Sequence, residues 1–305
     1  MLGATSDEFY WERTDRNIGW ITQDEQAYLR SCVVGIAGCG GMGGLLAITL
    51  ARRGIGTLRV ADSETFEISN LNRQYAARRT TLGKNKAIET ARCIEEITPD
   101  CTVQVFSDGI TDANVSSFAE DCTLIADEIE FWAVGSRIVL HQAARELGIP
   151  IFLGSSVGFG SRVFYFDHTG WSVDRMLGMN RGEARIIERS LQNKTATADL
   201  IERVLAATMK ALIPALPRYG SKMYAYDDKE ACLDRMRQEQ RASILGSNPP
   251  FATGFLANWI VLQLLKNRFV HREQPALPRT PGYLYIDAAM LQSRIVTYEE
   301  RIHDF

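Results

Sequence analysis

No two cysteines in this chain stand in a C-x-x-C spacing, although six are present, at Cys32, Cys39, Cys93, Cys101, Cys122 and Cys232. A tetrahedral zinc site draws on paired thiolates, so no zinc is expected. A disulfide framework does not suit a chain of 305 residues either, and the thiols read as reduced and mostly buried. A signal peptide is missing too: the start, Met1-Leu2-Gly3-Ala4-Thr5-Ser6-Asp7-Glu8, lacks a basic flank and an apolar core. No uninterrupted apolar run reaches membrane-spanning length, and the longest candidate, residues 251–265, contains Asn258 and Gln263. There is no excess of one charge, since 34 Lys+Arg against 37 Asp+Glu leave −3. That balance argues against a general polyanion binder, while a local basic cleft stays open. These absences point to a soluble, cytoplasmic protein without a membrane or nucleic-acid partner.

What is present is a chain that is 46% hydrophobic and long enough to bury a full core. Its first half alternates short apolar runs with helical patterns, as repeated βα units do. Strands are expected over residues 32–37, 57–62, 103–106, 123–127 and 151–154. Helices are expected over 43–53, 84–97, 113–120 and 136–147. This is the grammar of an α/β fold, a Rossmann-like doubly wound, mostly parallel sheet. After Gly154 the pattern changes. Residues 161–167 alternate like a strand with one wet face. Residues 171–226 are polar and helical without clear edges, and Pro250 suits the first turn of a helix over 251–266. Residues 283–287 and 294–298 read as closing strands, giving a C-terminal α+β extension with antiparallel strands. The organisation expected is a helical arm (1–30), a nucleotide-binding domain (31–168), and a segment (169–305) that completes the fold and offers a surface for a peptide.

The chemistry concentrates between Val33 and Lys86. G-C-G-G-M-G follows a β-branched run and opens a helix. Gly38 allows a tight turn, Gly40 and Gly41 let backbone approach phosphate, and Gly43 lets the helix pack on the sheet. The helix N-terminus adds N–H donors and partial positive charge. Asp62 ends the second strand, where an acid accepts hydrogen bonds from ribose hydroxyls, whether of ATP or of NAD. Glu64 reads as a solvated loop acid. The next segment separates those cofactors. A carboxylate attacking the α-phosphorus of ATP must approach four negative charges, so the site has to offset repulsion and hold the departing pyrophosphate. In S-N-L-N-R-Q and K-N-K, Arg73 can fork onto phosphate oxygens and Lys86 can act as a mobile point charge. Asn70 and Gln74 can orient oxygens. An NAD oxidoreductase would leave these groups without a purpose.

These motifs in order, G-C-G-G-M-G, V-A-D-S-E, S-N-L-N-R-Q and G-K-N-K-A, resemble the E1-type activating-enzyme family that includes the ThiF, MoeB and HesA proteins. The resemblance covers roughly residues 13–166. It implies binding of ATP and Mg²⁺ and adenylation of a carboxylate, commonly on a protein or peptide. It assigns Asp62 to ribose and places Asn70, Arg73, Gln74 and Lys86 around the phosphates. R-T-D-R-N-I at residues 13–18 resembles the family's R-Y-x-R-Q-I, which implies that Arg16 reaches into the ATP site of a partner in a homodimer.

The chain departs from the family in places. The family's magnesium-handling aspartate, followed by asparagine, is replaced in D-E-I-E-F-W by Glu130 and Phe131, which leaves Glu130 and Asp127 as rival metal ligands. The paired zinc cysteines are absent. A convincing thioester cysteine is absent as well: Cys232 is the one candidate by position, and Lys229 and Arg235 would lower its pKa while Glu230 and Asp234 oppose them, so the acyl-adenylate is expected to be consumed directly. Together with R-N-I-G-W-I and a helical second half, this resembles a zinc-free bacterial branch, some of whose members modify ribosomally made peptides, as the pantocin-forming enzyme does. The implied substrate is a precursor peptide or small protein, dehydrated or cyclised through an acyl-adenylate. Two alternatives stay open: a tRNA-modifying dehydratase of the same superfamily, and a nucleotide-binding subunit without catalysis of its own.

Overall fold

The computed structural model describes residues 6–213, 229–269 and 273–304. They divide into two compact units, Met1–Glu128 with Thr253–Ala276, and Ile129–Ala252 with Leu277–Phe305.

The first unit opens with two helices, α1 (Ser6–Thr14) and α2 (Gln23–Ser31). They are followed by β1 (Val33–Ala37), α3 (Gly43–Arg52), β2 (Thr57–Ala61), α4 (Lys86–Ile97), β3 (Thr102–Phe106), α5 (Val115–Ala119) and β4 (Leu124–Asp127). The four strands are parallel throughout, in the order β3-β2-β1-β4. Near-continuous apolar runs such as V-V-G-I-A and L-I-A-D suit strands covered on both faces. Helix α3 packs on β1 and β2, and α4 on β2 and β3. The α3 stripe of Leu46, Ala47, Leu50 and Ala51 is buried at helical spacing. Each such leucine contributes about 2 kcal/mol of burial. At Gly35 in β1, an added Cβ would stand 3.1 Å from the Phe118 ring of α5, so glycine there lets that aromatic close on the strand.

The N-terminal arm is tied to this unit by polar contacts. A capping box starts α2: Glu25 N–H donates to Thr22 Oγ1 at 3.2 Å, and Thr22 N–H donates to Glu25 Oε2 at 2.8 Å. The buried Tyr10 hydroxyl accepts from Gln26 Nε2 at 2.7 Å and donates to the Gly54 carbonyl at 2.9 Å.

The second unit contains α6 (Val134–Glu146), β5 (Ile151–Val157), β6 (Gly160–Phe166), α7 (Val173–Leu177), α8 (Arg181–Gln192), α9 (Ala198–Leu212) and α10 (Lys229–Glu239). Helix α11 (Asn248–Arg268) follows, its residues from Thr253 onward counting with the first unit. Strands β7 (Tyr283–Asp287) and β8 (Gln292–Val296) and helix α12 (Tyr298–Arg301) complete the chain. Here the strands are antiparallel, in the order β5-β6-β7-β8. The α/β architecture with an antiparallel C-terminal portion is therefore the one expected.

Two expectations are corrected. The last strand ends at Val296 rather than 298, because Thr297 and Glu300 form a reciprocal capping box that draws Tyr298 into α12. Residues 214–226 lie outside the described residues, and the described part of the segment without clear edges, up to Ile213, resolves into α7, α8 and α9. Its boundaries are set by Asn180, which accepts from Glu183 N–H at 2.9 Å, and by Thr197, which accepts from Leu200 N–H at 3.4 Å. Among the described residues no helix is long and apolar enough to cross a membrane.

Candidate active site

In the first unit the chain runs from β1 outward through β2 to β3, then returns to place β4 on the other side of β1. Such a reversal opens a crevice at the carboxyl ends of the strands. The glycine turn leaves β1 at this point. Gly38 has φ +101°, in the left-handed region that glycine enters freely, and its N–H donates to the Ala61 carbonyl at 2.7 Å. Gly43 begins α3 under tighter constraint: a Cβ there would stand 1.9 Å from the Gly38 carbonyl oxygen and 2.8 Å from Glu128 Cβ. Gly40 and Gly41 lie in the turn between them. No side chain caps the start of α3, and of its first N–H groups that of Gly44 donates to the Gly40 carbonyl at 3.2 Å.

Asp62 follows β2 and is held on two sides. Cys39 N–H donates to Oδ2 at 2.7 Å and Glu64 N–H to Oδ1 at 2.8 Å. Burial pushes its carboxyl pKa up, while the charge of Lys86 and the two backbone donors pull it down. The acid is thereby locked against the glycine turn.

Beyond Asp62 the backbone is laced to the segment before α4. Thr65 bridges Asn85 and Phe66 bridges Leu82, and Lys86 N–H donates to the Glu64 carbonyl at 2.9 Å. Asn85 caps α4 by accepting from Ile88 N–H at 3.1 Å, and its Nδ2 donates to the Asp62 carbonyl at 2.9 Å. This lacing sets the side chains of Glu64 and Lys86 together: Lys86 Nζ donates to Glu64 Oε2 at 2.5 Å. The lysine is buried and the glutamate is 56% exposed.

Asn70 is buried and structural in its contacts, its Oδ1 accepting from Glu67 N–H at 2.9 Å and its carbonyl from Gln74 N–H at 2.9 Å. Arg73 Nη1 donates to the Ser69 carbonyl at 3.1 Å and to Asn72 Oδ1 at 2.9 Å. Burial lowers its pKa, and the nearby Glu64 carboxylate pulls it back up. Gln74 is buried, its Oε1 has no hydrogen-bond partner, and its Nε2 lies 3.9 Å from where a Cβ on Gly40 would be. A buried acceptor left open beside a glycine turn fits a site built for a ligand with donors and phosphates.

Of the residues expected from sequence, Gly38, Gly40, Gly41, Gly43, Asp62, Asn70, Arg73, Gln74 and Lys86 all fall in this unit. Asp127 is fully buried at the end of β4, in register with Ala37. Glu130 belongs to the second unit, where its own carboxylate accepts from Trp132 N–H at 2.7 Å. Arg16 lies exposed on the 3-10 turn Asp15–Asn17. The side chain of Cys232 lies outside the described residues. No group of three or more His, Cys, Asp or Glu suited to a metal occurs among the described residues. Magnesium needs only one or two carboxylates beside substrate phosphates, and within the first unit Asp127, at the end of β4, is the acid that could offer one. Two acids were not singled out by sequence: Glu64, taken as a solvated loop residue, and Glu128, whose position against Gly43 has no signal in the sequence beyond its place after β4.

The unit that holds these groups is a Rossmann-class α/β fold, of the kind that takes nucleotides at the carboxyl ends of its strands. Within that class, the chain belongs to the ThiF family, whose profile matches residues 14–278. The tRNA threonylcarbamoyladenosine dehydratase of Escherichia coli (strain K12) is 41% identical over 128 residues, covering 42% of this chain and 46% of that protein. The structure of PaaA is similar with a TM-score of 0.62 at 18% identity, covering 96% of this chain and 74% of that one. The structure of E. coli MccB with ATP is similar with a TM-score of 0.59 at 14% identity, covering 90% of this chain and 65% of that one. At such identities the structural likeness shows the fold. The chain spans from 20% to 51% of the length of the curated relatives it matches.

Proposed function

We propose that this protein is an ATP- and Mg²⁺-dependent adenylyltransferase acting in the cytoplasm on a carboxylate of a precursor peptide or small protein. The carboxylate oxygen attacks the α-phosphorus of ATP and pyrophosphate leaves; a nucleophile of the same substrate then attacks the acyl carbon of the resulting mixed anhydride and expels AMP, giving a dehydrated or cyclised product. The observation that carries this reading is the pairing of a buried lysine with an acid beside a glycine turn, within one rigid bracket that also holds Asp62. Asp62 would take the ribose. Arg73 and Lys86 would offset the charge of the phosphates, and Gln74 Oε1 would accept from the ligand. Mg²⁺ would arrive with the triphosphate and supply charge neutralisation there, held by Asp127. Arg16 would complete the site from a second copy in a homodimer. The likeness to PaaA and to MccB, which has been crystallised with ATP and with MccA, supports this choice of substrate class.

Exchange of labelled pyrophosphate into ATP by the full-length protein, dependent on a short peptide encoded beside it, is the expected result. Absence of exchange with any peptide, together with absence of ATP binding, overturns the reading.

The 41% identity with the E. coli tRNA dehydratase favours a second reading, in which the carboxylate sits on a modified tRNA. The adjacent exposed Arg78 and Arg79 would then contribute to RNA binding. Salt-sensitive tRNA binding that falls on removing this pair supports it, and no RNA binding at all excludes it.

A further inference from the structure

Two carboxylates that differ in freedom feel the charge of Lys86. Asp62 is 8% exposed and fixed by two backbone N–H donors. Glu64 is 56% exposed at its side chain, and its carboxylate is held by Lys86 Nζ at 2.5 Å. The Glu64 backbone is pinned by the ladder to residues 82–86, so the side chain swings from a fixed root. The same carboxylate is close enough to Arg73 to act on that guanidinium electrostatically. One half-exposed anion thus serves both cations that the proposed function gives to phosphates.

We infer that Glu64 is an internal counter-anion that occupies the phosphate seat at Lys86, is displaced by the triphosphate, and returns as pyrophosphate departs. The inference rests on the reading of this site as the seat of ATP. Physically it follows from the burial of the lysine. A buried ammonium with no anion is expensive, so in the absence of nucleotide it needs a partner. Asp62 cannot move to it without giving up two hydrogen bonds. Glu64 reaches it and can leave into water at little cost, because more than half of its side chain is already hydrated. The exchange makes and breaks no covalent bond: one oxyanion replaces another at Nζ. Its consequence is selectivity. A polyphosphate must out-compete a tethered carboxylate, which weakens retention of the product pyrophosphate and thereby favours its release.

The test is isothermal titration of the full-length protein and its Glu64→Gln variant with Mg·ATP and, separately, with inorganic pyrophosphate. The variant keeps the side-chain shape without the charge, and Glu64→Ala serves as a second variant of the same position. Both ligands are expected to bind the variants roughly five- to tenfold more tightly, the range for a hydrogen bond to a charged group set against an exposed ion pair. In a Lys86→Ala background the gain disappears. Equal affinities within about twofold, or weaker binding by both variants, overturn the inference while ATP binding by the wild type leaves the proposed function standing. ATP bound by none of the proteins, with pyrophosphate still held more tightly by the variants, sinks the proposed function and leaves the anion seat in place.

Discussion

Arg13 grips both oxygens of Asp100, with Nε at 2.8 Å and 3.0 Å and Nη2 at 2.7 Å. Its Nη1 donates to the Ala51 carbonyl at 3.0 Å, and the guanidinium lies 5.0 Å from the Tyr10 ring centre. The first arginine of R-T-D-R-N-I is therefore a clamp between α1, the end of α3 and the turn before β3. Asp100 is 2% exposed in this pair. Arg13→Ala strands a buried carboxylate and is expected to destabilise the protein by about 3 kcal/mol. Urea denaturation midpoints of the two proteins check this; Arg13→Lys is expected to recover only part of the loss, since an ammonium cannot fork.

The second arginine of the motif, Arg16, is exposed, and its loss is expected to change stability by less than about 0.5 kcal/mol. Its proposed role lies across a homodimer. Arg16→Ala and Lys86→Ala proteins, each inactive alone, are expected to regain about a quarter of wild-type pyrophosphate exchange when co-folded in equal amounts, because half the dimers are mixed and each mixed dimer has one intact site. No recovery would place Arg16 in its own subunit's site or in none.

Two glycines of one turn are expected to behave oppositely. Gly43→Ala drives a methyl to 1.9 Å from the Gly38 carbonyl oxygen, and the turn must open or the helix must shift. Overpacking of this kind is expected to lower stability by about 3 kcal/mol or more. Gly40→Ala meets only Gln74 Nε2, at 3.9 Å, so the fold is retained and ATP affinity falls. Thermal melts and nucleotide titrations on the two variants separate the effects.

Burial raises the thiol pKa of Cys32 to about 11, Cys101 to about 12 and Cys122 to about 11, and raises those of Cys39 and Cys93 as well. A raised thiol pKa means less thiolate at a given pH; at pH 8 a thiol at 11 is about 0.1% ionised. Iodoacetamide at pH 8 is therefore expected to spare these five in the native protein and to label them after denaturation. Mass spectrometry of the digested protein reads each site. Native labelling of Cys39 would show that the glycine turn opens.

Much of the first unit is legible in the sequence because its signals are local. A glycine turn between apolar runs, an acid at a strand end and a cation after Asn85 each sit where short-range rules place them. The start of α4 is expected at 84 and found at Lys86, since the cap is Asn85. That asparagine's second task, its Nδ2 reaching the carbonyls of Asp62 and Ser107, is tertiary and has no pattern to betray it. Glu64 reads as a solvated acid because it is largely one; only the bridging of residues 65–66 to 82–85 shows that it shares a neighbour with the site. In the second unit the alternation read over residues 161–167 predicts a wet face that β6 does not have, since all its residues but Tyr165 are buried between β5 and β7. Among α7 to α9, only α8 and α9 begin at a side-chain cap.

The clasp formed by Thr65 with Asn85 and Phe66 with Leu82 closes residues 67–81 into a loop whose two feet are stapled side by side. Changes in the part of that loop after Gln74 would leave the spacing of Asp62, Glu64 and Lys86 untouched, whereas its first half carries Asn70, Arg73 and Gln74 of the same site. Only the returning limb of the loop is thus free to diversify; its outgoing limb is bound to the same geometry as the two feet.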